Sequence, residues 1–329
     1  MKILFVVPYV PNLIRVRPYN LVRSLAKRGH EITLMTLWSS EAELRDVEAL
    51  KPVCADVQAV HLPSWRSLLN AALALPVDMP LQANYCWHPE LDRRIHAELA
   101  ATGPGARYDA VHVEHLRGVR YALSALSAAH NGKSIPVFWD SVDCITYLFE
   151  QAVRRSRGGL RRAVLQFDLA RTRRYEGKMA ANFSRVFVTS RVDQQKLGEL
   201  APQPLAAEHV AVIPNGVDLD YFQPDPREPR CPASLVISGK MSYHANVAMA
   251  LELVNKIMPI VWSRKPDVEV KIVGKDPPAA ILELASNPRV VVTGTVPDIR
   301  PYLRQATIAA APLAYGAGIQ NKVLEAMAC

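Results

Sequence analysis

The chain has 329 residues, of which half are apolar and 21% charged, with a net charge of +8 from 39 Lys and Arg against 31 Asp and Glu. That length and composition exclude a disordered or fibrous chain and leave room for two cores. The positive balance suits phosphorylated substrates or anionic lipid. Nucleic acid is not expected, because the basic segment lacks interleaved surface aromatics.

Five scattered cysteines (Cys54, Cys86, Cys144, Cys231 and Cys329) form no metal-ligand spacing. They point to a reducing, cytoplasmic setting without a disulfide framework. Met1-Lys2 leads into a short apolar strand interrupted by Pro8 and Pro11, unlike a signal peptide. No apolar run reaches the ~18 residues of a membrane span.

Ile3–Val7 is a continuous apolar run, as expected for a buried parallel strand. Pro18 opens a helix with Leu21, Val22, Leu25 and Ala26 inward, and Gly29 closes it. Ile32–Leu37 follows as a strand, and this order predicts right-handed parallel crossovers. Further strands are expected at Val111–Val113, Val137–Trp139, Val186–Thr189 and Val210–Ile213, with a helix over Arg161–Ala181. Pro224, Pro226, Pro229 and Pro232 mark a linker over 223–232, after a first domain of residues 1–222. A second alternation fills 233–329. Its strands are Leu235–Ser238, Val268–Val273, Val290–Thr293 and Ile308–Ala311, with helices around Ala248–Trp262, Ala279–Ala285 and Ile299–Gln305 and one at the end. Two facing, doubly wound Rossmann-like α/β domains are implied, with ligands beyond the carboxyl ends of the strands.

The richest stretch is Gly316-Ala-Gly-Ile-Gln-Asn-Lys-Val-Leu-Glu-Ala-Met-Ala-Cys329. Gly316 and Gly318 let backbone N–H groups approach a ligand, and a helix start makes an anion site. Lys322 lies near the first turn, and Glu325 shares its face three residues on. Phosphate, cation and a carboxylate for sugar hydroxyls would line one edge, an order that suits a nucleotide diphosphate sugar.

This stretch resembles the donor-site signature of retaining family 4 glycosyltransferases. Ile213-Pro-Asn-Gly-Val-Asp218 with Tyr221-Phe-Gln-Pro224 resembles that family's interdomain segment, Ser238-Gly-Lys-Met241 its phosphate loop, and Val292–Asp298 the loop near the base. The resemblance runs from Met1 to Cys329 and is greatest to the branch tied to exopolysaccharide export. It implies a GT-B fold and hexosyl transfer with retention, without metal or cofactor. A nucleotide diphosphate sugar would be the donor, and the acceptor lipid-linked or a polysaccharide.

By the same resemblance, donor-binding residues are Gly239, Lys240, Val296, Gly318, Ile319, Lys322 and Glu325. Candidate catalytic residues are His112, Glu114 and His115, after the Val111 strand. The family's His-x-His appears here with Glu114 in second place and His115 beside it. Alternation puts His112 and Glu114 on one face. Asp140 lines the acceptor side or caps the next helix, and Asp143 is expected to cap it. Asp218-Leu-Asp220 has metal-site spacing but lies in the interdomain segment.

The sequence departs from the family in three places. Ala317 replaces the first of two glutamates, and Ala245 and Asn246 stand where a second cation is usual. Family members continue past the position of Cys329 with another strand and helices, so the resemblance implies an incomplete second domain. These departures keep open an alternative: an inactive or nonenzymatic nucleotide-sugar-binding paralogue. The basic residues between Arg154 and Lys178 are expected to meet an anionic membrane surface, placing the protein peripherally at the inner face of the cell membrane.

Overall fold

The computed structural model describes residues 1–101, 108–129, 135–155, 159–206, 208–313 and 320–329. The chain divides into two compact units, one spanning Met1–Pro214 and the other beginning at Asn215.

The first unit runs β1 (Lys2–Val7), α1 (Val16–Lys27), β2 (Glu31–Trp38), α2 (Glu41–Leu50), β3 (Asp56–His61), α3 (Ser64–Ala74), α4 (Leu81–Tyr85), α5 (Pro89–Ala100), β4 (Ala110–Glu114), α6 (Val119–Ala129), β5 (Val137–Val142), α7 (Ile145–Arg155), α8 (Leu160–Ala180), β6 (Arg185–Val188), α9 (Arg191–Leu200) and β7 (Val210–Val212). All its described strand pairs are parallel, in the order β3-β2-β1-β4-β5-β6-β7. Period-two alternation supplies both layers of core. Leu4 and Val6 of β1 join Val111, Val113 and Trp139 on one face. Ile3, Phe5 and Val7 pack with Val22, Leu34 and Val47 on the other. Strand order reverses between β1 and β4, and in such sheets ligands collect beyond the carboxyl ends at that point.

The second unit runs β8 (Ser234–Ser238), α10 (His244–Glu252), α11 (Met258–Trp262), β9 (Glu269–Val273), α12 (Ala279–Leu282), β10 (Val290–Gly294), α13 (Arg300–Gln305), β11 (Ile308–Ala309) and α14 (Asn321–Ala328). Its sheet is parallel, ordered β10-β9-β8-β11. The expected helix over Ala248–Trp262 is α10 and α11, joined by a π-helical turn at Leu253–Ile257 just ahead of Pro259. The proline-rich segment 223–232 is fastened to this unit. Arg304 Nε donates to Gln223 O at 2.8 Å, and Cys231 N to Gln305 O at 2.7 Å. Phe222 packs with Val236, Val273 and Leu303.

No sequence reading covers β3 or the helices α2 to α6 and α9. β3 is only half-buried along its length, so it carries no continuous apolar run.

Candidate functional site

In the first unit, β1, β4 and β5 bring their carboxyl ends together around Asp140. Arg17, in the first turn of α1, grips that carboxylate with two bonds, Nε to Oδ2 at 2.9 Å and Nη2 to Oδ1 at 3.1 Å. Its Nη1 donates to Ile213 O at 2.8 Å. Both side chains are buried, so the pair satisfies charges that neither could carry there alone. His112 Nε2 lies 3.7 Å from Asp140 Oδ2 and makes no hydrogen bond among the described residues. Its ring stacks on Phe5 at 4.1 Å. Burial pushes the His112 pKa down to about 4 against the pull of Asp140, so the ring is neutral at pH 7.

Glu114, at the end of β4, accepts from the Tyr9 hydroxyl at 3.0 Å through Oε1, while Oε2 is buried without a partner among the described residues. Burial first, and the Asp140 charge second, hold its carboxyl well above the usual carboxylate range. His112 and Glu114 therefore share a neighbourhood, as alternation implies. His115 does not continue the strand. Its φ of 65° turns the chain, and its Nδ1 accepts from Arg117 N at 3.3 Å to cap the short turn Leu116–Gly118. Burial, reinforced by Arg117, pushes its pKa to about 3. Beside it, β5 carries a bulge between Asp140 and Val142, and Val142 has φ of 68°, a costly conformation for a β-branched residue.

The expected capping role of Asp143 is corrected here. The amide N–H groups that open α7 are taken by carboxylates from other elements. Cys144 N donates to Asp193 Oδ1 at 3.0 Å. Ile145 N and Thr146 N donate to the buried Glu176 at 2.9 and 2.7 Å. Asp143 instead accepts from Thr189 Oγ1 at 3.2 Å, and burial beside Asp193 pushes its pKa to about 6. Sequence reasoning also missed Arg17 and Tyr9. A usable signal existed for Arg17: it stands four residues before Leu21, on the helix face already assigned inward.

In the second unit, β8 ends at Ser238 and passes into Gly239, whose φ is 134°. A Cβ on Gly274, with φ of 155°, would lie 1.8 Å from Gly239 O, so the two backbones touch where no side chain fits. The Lys322 ammonium reaches Asn246 Oδ1, while Asn246 Nδ2 donates to Lys240 O at 2.9 Å. A Cβ on Gly239 would sit 3.6 Å from Lys322 Nζ. Gly239, the Lys240 backbone and Lys322 are thus one cluster, with Asn246 as its hub. The Lys240 side chain is exposed.

Lys322 and Glu325 share the inward part of α14. Burial lowers the lysine pKa and raises that of the glutamate, while each charge opposes the shift of the other. Ser238, Lys322, Val323 and Ala326 line part of a cavity of 380 Å³. The Val296 side chain packs with Val236, Val273, Leu303 and Ala326. Gly318 and Ile319 lie outside the described residues. Asp218 Oδ1 accepts from Asp220 N at 3.0 Å and Tyr221 N at 3.2 Å, fixing a turn.

Within the basic segment, Arg171 donates to Ala74 O, Leu75 O and Met79 O. Arg173 pairs with Glu150 and Arg174 with Asp78. Arg154, Arg162 and Lys178 are exposed, and Arg157 lies outside the described residues. Among the described residues no helix is long and apolar enough to cross a membrane.

Two parallel Rossmann-like sheets with a glycine-and-lysine cluster on the second define the GT-B class of glycosyltransferases, and known proteins agree. The model of Glycosyltransferase Family 4 matches residues 15–221, and that of Glycosyl transferases group 1 matches residues 232–329. The chain belongs to Glycosyltransferase Family 4. No curated protein sequence matches it.

Among solved structures it is similar to HepE of Anabaena in complex with UDP. The identity is 15%, the TM-score 0.61, and the match covers 100% of this chain and 79% of that one. A glycosyltransferase from Rickettsia africae matches at 14% identity and a TM-score of 0.59, over 99% of this chain and 76% of that one. WaaG, a glycosyltransferase involved in lipopolysaccharide biosynthesis, matches at 15% identity and 0.59, over 99% and 78%. At such identities the likeness is one of fold.

Proposed function

We propose that this chain transfers a hexosyl group from a nucleotide diphosphate sugar to an acceptor, with retention of anomeric configuration and without a metal ion. The observation that carries this reading is the convergence of Lys322, Asn246, Gly239 and the Lys240 backbone at the carboxyl end of β8. A single ammonium held against a bare backbone suits a diphosphate. In this reading Glu325 takes the ribose hydroxyls, and Gly318 and Ile319 add backbone N–H groups. The loop at Val296 borders the base. Negative charge that develops as the nucleotide diphosphate departs is met by Lys322 and the start of α14.

In the first unit, Glu114 would offer Oε2 to a sugar hydroxyl, since the Tyr9 hydroxyl already holds Oε1. Neutral His112 would offer Nε2, which makes no hydrogen bond among the described residues. His115, already engaged as a cap, would shape the loop. The Arg17–Asp140 pair would fix the strand end that carries them.

HepE is seen with UDP and glucose, so a uridine diphosphate hexose is the first donor to try. The acceptor is proposed to be lipid-linked or a polysaccharide, reached at an anionic membrane surface with Arg154, Arg162 and Lys178 as contributors. Calorimetry with UDP, ADP and GDP and their hexose derivatives should find one donor that binds, and Lys322→Ala should weaken it. NMR of the product should give the donor's anomeric configuration, and EDTA should leave turnover unchanged. Failure of every nucleotide sugar to bind removes the proposal. Ala317, in place of the first glutamate, favours the second reading, a nucleotide-sugar binder. Donor binding without transfer or hydrolysis would select it.

A further inference from the structure

The segment Asn84–His88, from the end of α4 to the start of α5, is stitched from two sides. Asn70 Nδ2 donates to Tyr85 O and Trp87 O at 3.3 and 2.8 Å, and Asn84 Nδ2 to Asn70 O at 2.6 Å. The buried Tyr121 hydroxyl donates to Cys86 O and accepts from His88 N, both at 2.7 Å. Three guanidiniums converge on this segment from three other elements. Arg117, in the turn Leu116–Gly118, lies 5.6 Å from the Tyr85 ring and against the Cys86 thiol. Arg120, in α6, sits 3.8 Å over the Trp87 ring and donates to Asn84 Oδ1. Arg66, in α3, is close enough to act on the His88 ring and lies 5.7 Å from the Trp65 ring.

These three arginines are partly buried, and none forms an ion pair among the described residues. The Nε atoms of Arg66 and Arg117 are buried without a hydrogen-bond partner there. Asp92 acts on Arg120 only through space. The neighbouring arginines are treated differently: Arg17 has Asp140 and Arg15 has Glu43. A cation drawn out of water without a partner is costly, and three on one segment fit a ligand that brings the opposite charge. A ring beneath a guanidinium holds it flat and leaves its N–H edge free, and such an edge takes a carboxylate or a phosphate with paired bonds. Tyr85 and Trp65, 37% and 62% exposed, offer flat faces to a sugar ring.

We infer that Arg66, Arg117 and Arg120, fixed around Asn84–His88, hold the acid group of the acceptor, so that the acceptor is an anionic sugar carrying a carboxylate or a phosphate. This rests on the transferase reading above and names its acceptor class. After burial, Arg117 is the second influence on the His115 pKa, which ties the acid-binding group to the neighbourhood of Glu114. Forks fixed on a stitched segment select a single acid group, whereas a diffuse anionic surface needs no such fixing.

The test needs no donor: NMR titration of the full chain with glucuronic acid, glucose 6-phosphate and neutral glucose. Both acids should bind at least about tenfold more tightly than glucose. Arg117→Gln combined with Arg120→Gln should remove that advantage, while Lys322→Ala keeps it. Arg120 also holds Asn84, so Arg117→Gln alone serves if the double variant melts early, with an expected loss of at least about threefold. Equal binding of glucose and the acids overturns the inference, and so does acid binding that survives in Arg117→Gln or is lost in Lys322→Ala. Inorganic phosphate bound as tightly as glucose 6-phosphate would make this a simple anion site and overturn the sugar assignment. Binding to phosphatidylglycerol vesicles but to neither acid would overturn it in favour of a lipid headgroup. A chain that binds the acids through Arg117 but no nucleotide sugar would fail the transferase reading alone and keep the acid-sugar site.

Discussion

The first unit and the second place their polar groups under opposite conditions. Around Asp140 the groups are sealed: Arg17, Asp140 and Glu114 are buried, and each is tied to a partner more than a hundred residues away in sequence. Around Lys322 the described contacts are half open, and much of the surface offered is bare backbone at Gly239 and Gly274. In the first unit, burial sets protonation states and binds chemistry to stability. In the second, the proposed recognition would rest on a cation and a close backbone approach, so binding would be lost while the fold remains.

The sharpest way to break this contrast is to open the buried ion pair. Asp140→Ala leaves the Arg17 guanidinium buried without its carboxylate, and should cost about 3–5 kcal/mol in urea unfolding. A loss below ~1 kcal/mol would show that water reaches the pair and that the sealed description fails. In the second unit the comparable weak point is backbone. Gly274→Ala forces a Cβ to within 1.8 Å of Gly239 O at a φ of 155°, and should destabilise by about 3 kcal/mol. A melting temperature equal to wild type would mean that the loop moves aside freely.

Protonation offers a third test. The folded pKa of His112 is depressed from 6.5 to about 4, so the fold favours the neutral ring. That contribution is present above pH 6.5 and is lost as pH falls from 6.5 through 4. Glu176 and Asp143 act in the opposite sense, because their folded pKa values are raised to about 7 and about 6. Their favourable contribution is present at low pH and is lost as pH rises through those values. The two effects overlap, so a difference isolates the histidine. His112→Phe keeps the stack on Phe5 and should gain stability relative to wild type on acidification, up to a ceiling of about 3 kcal/mol. Parallel stability–pH curves for the two proteins would contradict this.

The smallest effect expected on stability comes from the second unit's cluster. Lys322→Ala should change unfolding by under about 0.5 kcal/mol, and Asn246→Ala, at a buried and hydrogen-bonded position, by about 1 kcal/mol. Each should weaken nucleotide-sugar binding, Lys322→Ala by about 1.5–3 kcal/mol and Asn246→Ala by less. Equal loss of binding and stability would erase the distinction between the two units.

The strands with two packed faces were legible, because a strand buried on both sides must be a continuous apolar run. β1 shows this plainly, and β3 shows the converse. Helix α3 was illegible for a stronger reason: its polar face is the inner one, so periodicity gives no guide to which side is core. Lys322 and Glu325 could be paired from their spacing alone. Asn246 could not be placed. Read along the chain, it looked like the loss of a cation; in three dimensions it is the residue that receives the Lys322 ammonium.

By itself, the sequence determined the alternation of strand and helix, the parallel sheets and the glycine-and-lysine character of the second unit. These follow from local periodicity and from backbone requirements that a few residues express. Only tertiary structure decided which charges meet. Arg17 finds Asp140 across 123 positions and Lys322 finds Asn246 across 76, because strand order and helix packing bring them together. A buried charge requires a partner, but the chemistry that makes the partner necessary does not say where along the chain it lies.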